Sequence, residues 1–218
     1  MLMPTRPESV SDAATPDATL PDWSAMAGEL IQARQTVLPK RLGAPAPDPA
    51  QQHAILSAAG AAPDHGQLLP WRFIAVPHPQ RDALADVFAQ SLRERDASAT
   101  PEQLEQAREK AHRSPWLLLA VVDAERGDPE VDLLERTLSA GCAVQNLLLM
   151  ATALGFGSAL TSGKALKSEP LRQLFKLGPG EQALCFVSIG TVQSRRKPRA
   201  RPAVADYVST LGTTPPDA

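Results

Sequence analysis

Ala62-Pro63-Asp64-His65-Gly66-Gln67-Leu68-Leu69-Pro70-Trp71-Arg72-Phe73-Ile74-Ala75-Val76 changes character halfway along. Its first half holds two prolines, a glycine and an aspartate, which punctuate a chain rather than continue an element. Its second half alternates aromatic and β-branched residues with others, the composition of a pleated strand. Upstream, residues 50–62 are small and apolar and suit a close-packed helix. The stretch therefore predicts a helix, a polar loop holding His65, and a strand over residues 71–76. Loops held between rigid elements are where binding residues concentrate.

Working outward, residues 1–21 are rich in Pro, Ser, Thr, Ala and Asp and predict a flexible tail that cannot offset its ordering entropy. From Asp22, an N-cap residue, Trp23, Met26, Ala27, Leu30 and Ile31 recur at helical spacing as far as Arg34 or Thr36. Pro39 stops that helix, and residues 40–47 read as an extended connector. Asp48-Pro49 opens the helix that leads into the loop. Beyond the strand, residues 79–80 begin a helix carrying Leu84, Val87, Phe88 and Leu92 on one face, Pro101 begins a highly charged one, and both read as largely solvated. Trp116-Leu117-Leu118-Leu119-Ala120-Val121-Val122 is a continuous apolar run, a strand covered on both faces. Residues 131–154 form the longest helix, apolar nearly all round in its middle and so central to the core. Short strands are expected at residues 156–160 and 182–191, with an amphipathic helix at 168–175 between them. Strands separated by helices make one helix-flanked sheet, and the connection lengths allow either α/β or α+β.

The 218 residues suffice for one substantial core, and residues 22–218 are expected to form a single domain. The formal net charge of −2 gives no reason to expect nucleic acid or an anionic membrane as a partner. No apolar run is long and uninterrupted enough to span a bilayer, and residues 1–11 lack a secretory pattern. A cytoplasmic protein is expected. Cys142 and Cys185 lie in apolar runs and read as buried free thiols. The four histidines show no zinc spacing, and no Gly-x-Gly-x-x-Gly follows a strand, so neither a metal nor a Rossmann site is expected.

Three separated segments, in order, carry a resemblance. The loop Ala62-Pro63-Asp64-His65 with Pro70-Trp71 resembles the flavin loop of the nitroreductase family, whose usual form is Pro-Ser-Ser-x-Asn-x-Gln-Pro-Trp. Here Gln67 takes the Asn position and Leu69 the Gln position. The Pro-Asp-His form is similar to that of the compact YdjA-like branch. Arg34-Gln35-Thr36 resembles the Arg-Arg-Ser or Arg-His-Ser at the start of these proteins. Gly155-Phe156-Gly157 with Leu160-Thr161-Ser162-Gly163 resembles the second flavin segment. Each segment alone has an ordinary reading: a basic residue at a helix end, a solvated loop histidine, a glycine turn. Trp71 reads as core rather than as a stacking platform.

The resemblance covers residues 31–207 and implies an α+β nitroreductase-like fold, with a mixed central sheet flanked by helices, in an intertwined homodimer. It implies FMN as cofactor, NADH or NADPH as co-substrate, and a nitroaromatic- or quinone-like small molecule as electron acceptor. The exchange would be ping-pong, hydride passing to the flavin and then to the acceptor, with no dedicated catalytic side chain. Arg34 and Thr36 would engage the phosphate, a sensible pairing of a guanidinium fork with a hydroxyl. Gln35, His65, Gln67 and Leu69 would approach the flavin, His65 from the partner subunit. Leu160, Thr161 and Ser162 would lie at the ring edge. Two extra residues separate Arg34 from Lys40-Arg41 relative to the compact branch, so either Lys40 or Arg41 could be the one that reaches the flavin. Arg199 and Arg201, in the basic run after the last strand, are candidates to close over the phosphate or else form a solvated tail. A non-enzymatic protein that sequesters FMN is the rival reading, and a cofactor-free helical interaction module a third.

Overall fold

A computed structural model of the chain describes residues 22–195, 197 and 200–212. The expected N-terminal tail, residues 1–21, lies outside them, as does Arg199. Helix α1 spans Trp23–Ala33, and the Asp22 side chain caps it by accepting from the Ala25 N–H. After a single 3-10 turn at Pro39–Arg41 comes the two-residue strand β1, Leu42–Gly43. Helix α2 spans Pro49–Ala59 and opens with a capping box between Asp48 and Gln51. Strand β2 is Trp71–Ala75, helix α3 Arg81–Arg95 and helix α4 Pro101–Glu109. Strand β3 is Trp116–Asp123, helix α5 Leu133–Ala153 and strand β4 Gly157–Thr161. Helix α6, Glu169–Leu174, and strand β5, Glu181–Val192, complete the order.

Strand β5 organises the sheet. It pairs antiparallel with β3 and with β4, while its last residues, Thr191 and Val192, pair with Gly43 and Leu42 of β1. Strand β2 pairs antiparallel with β3. Among the described residues the one parallel pairing outside the named strands is a bridge from Thr36 to Ser158. Ladders of this kind make the fold α+β, which the connection lengths alone left open. Strand β3 is buried from Trp116 to Val122, as its unbroken apolar run predicts.

The two sheet faces bury different clusters. Leu117, Leu119, Val121 and Phe186 meet Leu84, Ala85 and Val87 of α3 and Leu171 of α6. Trp116, Leu118, Ala120, Val187 and Ile189 meet Val144, Leu147, Leu148 and Ala151 of α5 and Ile55 of α2. Trp71 is buried with Val122, Ala140 and Ala143, so it is core. Helix α3 buries Leu84 and Val87 of its apolar face as read, but it is less solvated than expected, because Arg81, Ala85, Ala89 and Ser91 are buried too. The Arg81 guanidinium donates to the carbonyls of Val76 at 2.9 Å and Ala111 at 2.7 Å, which is how a cation is accommodated there. Both cysteines are free and half-buried, and burial pushes the Cys185 thiol up to about 11.

Two features place the N-terminal segment on the sheet. The Val37 N–H donates to the Ser158 carbonyl at 2.9 Å. Gly157 lets the strands close there: a Cβ on it would meet Val192 Cγ2 at 2.6 Å and Leu42 Cδ2 at 2.8 Å. The residues after α1 are thus strapped to β4 just beyond the C-terminal end of α5.

Candidate functional site

Residues Arg34 to Leu38 leave α1 in extended conformation and form one wall of a cavity of about 450 Å³. Gln35 and Thr36 line it with Arg34, and Arg41, Arg195, Lys197 and Arg201 complete its charged wall. Among the described residues no Asp or Glu lines it. Five cations gathered around one hollow make a positive field that favours an anion.

Arg201 is held in place. Its Nη2 donates to the Arg34 carbonyl at 2.9 Å and to the Gln32 carbonyl at 3.3 Å, both at the C-terminal end of α1. Those are the carbonyls a helix leaves without internal partners, at the negative end of its dipole. The ordinary role of a cation at a helix end is therefore taken by Arg201. The Arg34 guanidinium makes no ion pair or side-chain hydrogen bond among the described residues and is half-buried at the cavity.

Lys40 and Arg41 diverge. They share the 3-10 turn Pro39–Arg41, where successive side chains are rotated by about 120°. Arg41 lines the first cavity, and Lys40 lines a second of about 480 Å³. Leu38 lines both, so the two cavities adjoin. Thr161 and Ser162 line the second. Leu160 alternates to the other side of β4 and is 45% exposed.

The loop with His65 sits elsewhere. Ser139 Oγ donates to the Pro63 carbonyl, and His65 Nδ1 lies 2.5 Å from Glu135 Oε1, so both anchors are in the first turns of α5. Gln67 and Leu69 adopt left-handed backbone, φ 54° and 49°, and both are exposed. Such conformations cost on the order of 1–3 kcal/mol each and persist where the surroundings impose them. Asp64 Oδ2 does so by accepting the Leu69 N–H at 2.7 Å. The loop docks at the start of α5, whereas Thr36 meets the strand after its end. Along the helix axis that is a separation on the order of 25 Å.

The structure thus brings together Arg34, Gln35, Thr36, Arg41 and Arg201 at one cavity, and Lys40, Thr161 and Ser162 at its neighbour. It does not bring His65, Gln67 or Leu69 to either within one protomer. Glu135, as the partner of His65, and Arg95, Lys110, Arg113 and Lys164, which line the second cavity, were not legible as site residues. They come from segments far apart in sequence. Among the described residues no cluster of His, Cys, Asp and Glu could hold a metal ion, and no helix is long and apolar enough to cross a membrane.

The family model described as "Nitroreductase family" matches residues 31–191. The chain belongs to the nitroreductase family. A relative from Haemophilus influenzae, provisionally named an NAD(P)H nitroreductase, is 34% identical over 74% of this chain and 87% of its own length. YdjA of Escherichia coli K12, which carries the same provisional description, is 31% identical over 70% and 82%. Among solved structures, a nitroreductase-like family protein from Bacillus cereus superposes with a TM-score of 0.73 at 17% identity, covering 85% of this chain and 96% of that one. A mutant of the FMN and NADPH-dependent nitroreductase NfnB from Sphigopyxis sp. strain HMH gives 0.68 at 18% identity, covering 86% and 99%. At those identities the structural likenesses speak for the fold, which is that of a nitroreductase.

Proposed function

We propose that the chain is an FMN-dependent oxidoreductase that uses NADH or NADPH to reduce small nitroaromatic- or quinone-like acceptors. The observation that carries this reading is the gathering of Arg34, Arg41, Arg195, Lys197 and Arg201 around one cavity, with no carboxylate in its wall among the described residues. That donor set suits the phosphate of a flavin nucleotide: guanidinium forks and a nearby Thr36 hydroxyl match its oxygens. Membership of the nitroreductase family supplies the flavin, and the names of the relatives supply the nicotinamide donor.

Bound FMN would supply hydride transfer in a ping-pong cycle, first from NAD(P)H and then to the acceptor. The chain's own residues bind and orient. Arg34 and its cationic neighbours hold the phosphate end, while Lys40, Thr161 and Ser162 offer donors in the adjoining cavity. No acid–base pair is required of the protein, because the acceptor can take its protons from solvent. In the test, the purified protein should be yellow, release FMN in about one copy per chain on denaturation, and bleach on anaerobic addition of NADH or NADPH. A colourless protein that fails to take up FMN overturns the reading. Flavin that neither nucleotide bleaches makes it an FMN-sequestering protein instead.

The same reading includes a homodimer. Helix α1 has no buried residue, and Trp23, Met26 and Ile31 are all more than half exposed. Leu134 and Leu138 on α5 are likewise exposed. An eleven-residue helix is marginal in water on its own, so covering this apolar surface is what would hold it. A second copy also answers the separation along α5: one FMN cannot span it, whereas a partner can present its His65 loop to the first chain's cavity. Sedimentation of the flavin-loaded protein should give a single dimeric species. A stable flavin-loaded monomer refutes this arrangement.

A further inference from the structure

The backbone of the His65 loop is fixed without help from the His65 side chain. Ser139 Oγ donates to the Pro63 carbonyl. The Gln67 N–H donates to the Asp64 carbonyl at 3.2 Å, and the Leu69 N–H to Asp64 Oδ2 at 2.7 Å. Gly66, Gln67 and Leu69 carry the left-handed backbone that this short path requires.

The His65 side chain makes one contact among the described residues: its Nδ1 lies 2.5 Å from Glu135 Oε1. Glu135 is itself fixed in the first turn of α5, where its N–H donates to Oδ1 of the capping Asp132 at 2.9 Å. The pair is open to solvent, with the histidine side chain 66% exposed and the glutamate 46%. Exposed pairs contribute little to stability. What this pair decides is direction. An ionised carboxylate only accepts, so Nδ1 carries the proton. The bond made by one ring nitrogen sets what the other can do. Here Nε2 is left over, without a partner among the described residues, and in the neutral ring it offers a lone pair.

We infer that Glu135 is a positioning residue: it fixes the ring and the tautomer of His65 so that Nε2 is presented as an acceptor to the flavin ring bound in the other subunit. An oxidised flavin ring has a single N–H to meet it. This rests on the proposed function and its dimer, in which the loop of one chain serves the cavity of the other. It adds the residue that orients the loop's projecting side chain. Without Glu135 the loop backbone stays in place, but the ring turns freely and either nitrogen can carry the proton.

Two measurements test this. Nitrogen NMR of histidine-labelled, flavin-loaded protein at about pH 8.5, where imidazole is ordinarily neutral, reports which ring nitrogen is protonated. His65 is assigned by the signal lost in His65→Ala. In the wild type the proton should sit on Nδ1. In Glu135→Ala it should move toward Nε2, the tautomer that free histidine prefers. Glu135→Gln, whose amide oxygen still accepts, should keep it largely on Nδ1. The second measurement titrates apoprotein with FMN and with riboflavin for His65→Ala, Glu135→Ala and the double variant. Each single variant should weaken both flavins alike, by about threefold to tenfold, the loss of one neutral hydrogen bond to the ring. The double variant should bind no more weakly than His65→Ala, because Glu135 acts only through His65. The urea midpoint of Glu135→Ala should stay close to that of wild type, which separates lost orientation from damage to the fold. Full flavin affinity in Glu135→Ala, a proton that stays on Nδ1 there, or losses that add in the double variant overturn the inference while the proposed function stands. If wild-type apoprotein takes up neither flavin, the proposed function fails and the inference falls with it.

Discussion

Arg136→Ala is expected to destabilise the protein by about 3–5 kcal/mol, because it strands several buried carbonyls, each costing on the order of 1–3 kcal/mol when left without a donor. Arg136 is 1% exposed, the largest fully buried side chain among the described residues. Its partners are carbonyls. Nε donates to Val131 at 2.7 Å, Nη1 to Arg126 at 2.5 Å and more weakly to Asp123 at 3.4 Å, and Nη2 to Asp128 at 2.5 Å. One guanidinium thus holds the last carbonyl of β3 and three carbonyls of the segment between β3 and α5. Charge-assisted bonds contribute on the order of 1.5–3 kcal/mol each and are not additive, so the total stays within the stated range. Arg136→Lys is expected to recover less than half, because an ammonium cannot reproduce the planar fork. The damage should travel. Gly127 in that segment lies against Leu68 of the His65 loop, close enough that a Cβ on it would meet Leu68 Cδ2 at 2.6 Å. Loosening the segment should therefore also loosen the loop proposed to serve the partner's flavin. Urea unfolding of wild type, Arg136→Ala and Arg136→Lys checks the stability, with flavin content as second readout. A loss below 1 kcal/mol means that solvent or a rearranged loop replaces the guanidinium.

Much of the fold was legible because local rules agreed with the tertiary ones. Asp22 and Asp48-Pro49 mark helix starts that the structure keeps, both with their capping bonds. The apolar run from Trp116 to Val122 is long enough for a strand, too short for a core helix, and buried on both faces as read. What was not legible depends on non-local partners. Strand β1 is two residues long, and nothing in Leu42-Gly43 specifies it; it exists because Thr191 and Val192 run past it. Arg81 of α3 reads as a surface residue until Val76 and Ala111 are found to offer their carbonyls. The second cavity is hidden in sequence for the same reason. Lys40, Arg95, Lys110 and Lys164 sit in four unrelated segments, each of which reads alone as a wet charge. The phosphate-site candidates were found by resemblance, not periodicity, and only the structure separates Lys40 from Arg41.

Arg34→Ala should weaken FMN binding roughly tenfold to a hundredfold, the equivalent of one charge-assisted contact of about 1.5–3 kcal/mol, while riboflavin binding hardly changes. The competing account of Arg34 was that it serves only the end of α1. Arg201 occupies that role through the carbonyls of Arg34 and Gln32, which leaves the Arg34 side chain without an intramolecular partner among the described residues. Arg34 is also better placed than its cationic neighbours to act as a fixed contact. It follows directly on α1 as its C-cap, and its own N–H bonds back to the Leu30 carbonyl, whereas Arg195 and Lys197 are exposed residues beyond β5. A pre-positioned guanidinium loses less freedom on binding, so more of its contact appears as affinity. Those neighbours set the upper limit, since Arg41 and Arg201 remain at the same cavity to hold the phosphate in the variant. Riboflavin lacks the phosphate and acts as the control: damage to the ring pocket weakens both flavins, and loss of a phosphate contact weakens FMN alone. The measurement is a titration of apoprotein, wild type and variant, with each flavin, followed by quenching of flavin fluorescence. Raising the salt should narrow the gap between wild type and variant for FMN, because the lost contact is between charges. Equal weakening of both flavins assigns Arg34 to the fold. Unchanged FMN affinity passes the phosphate to Arg41, Arg195, Lys197 and Arg201.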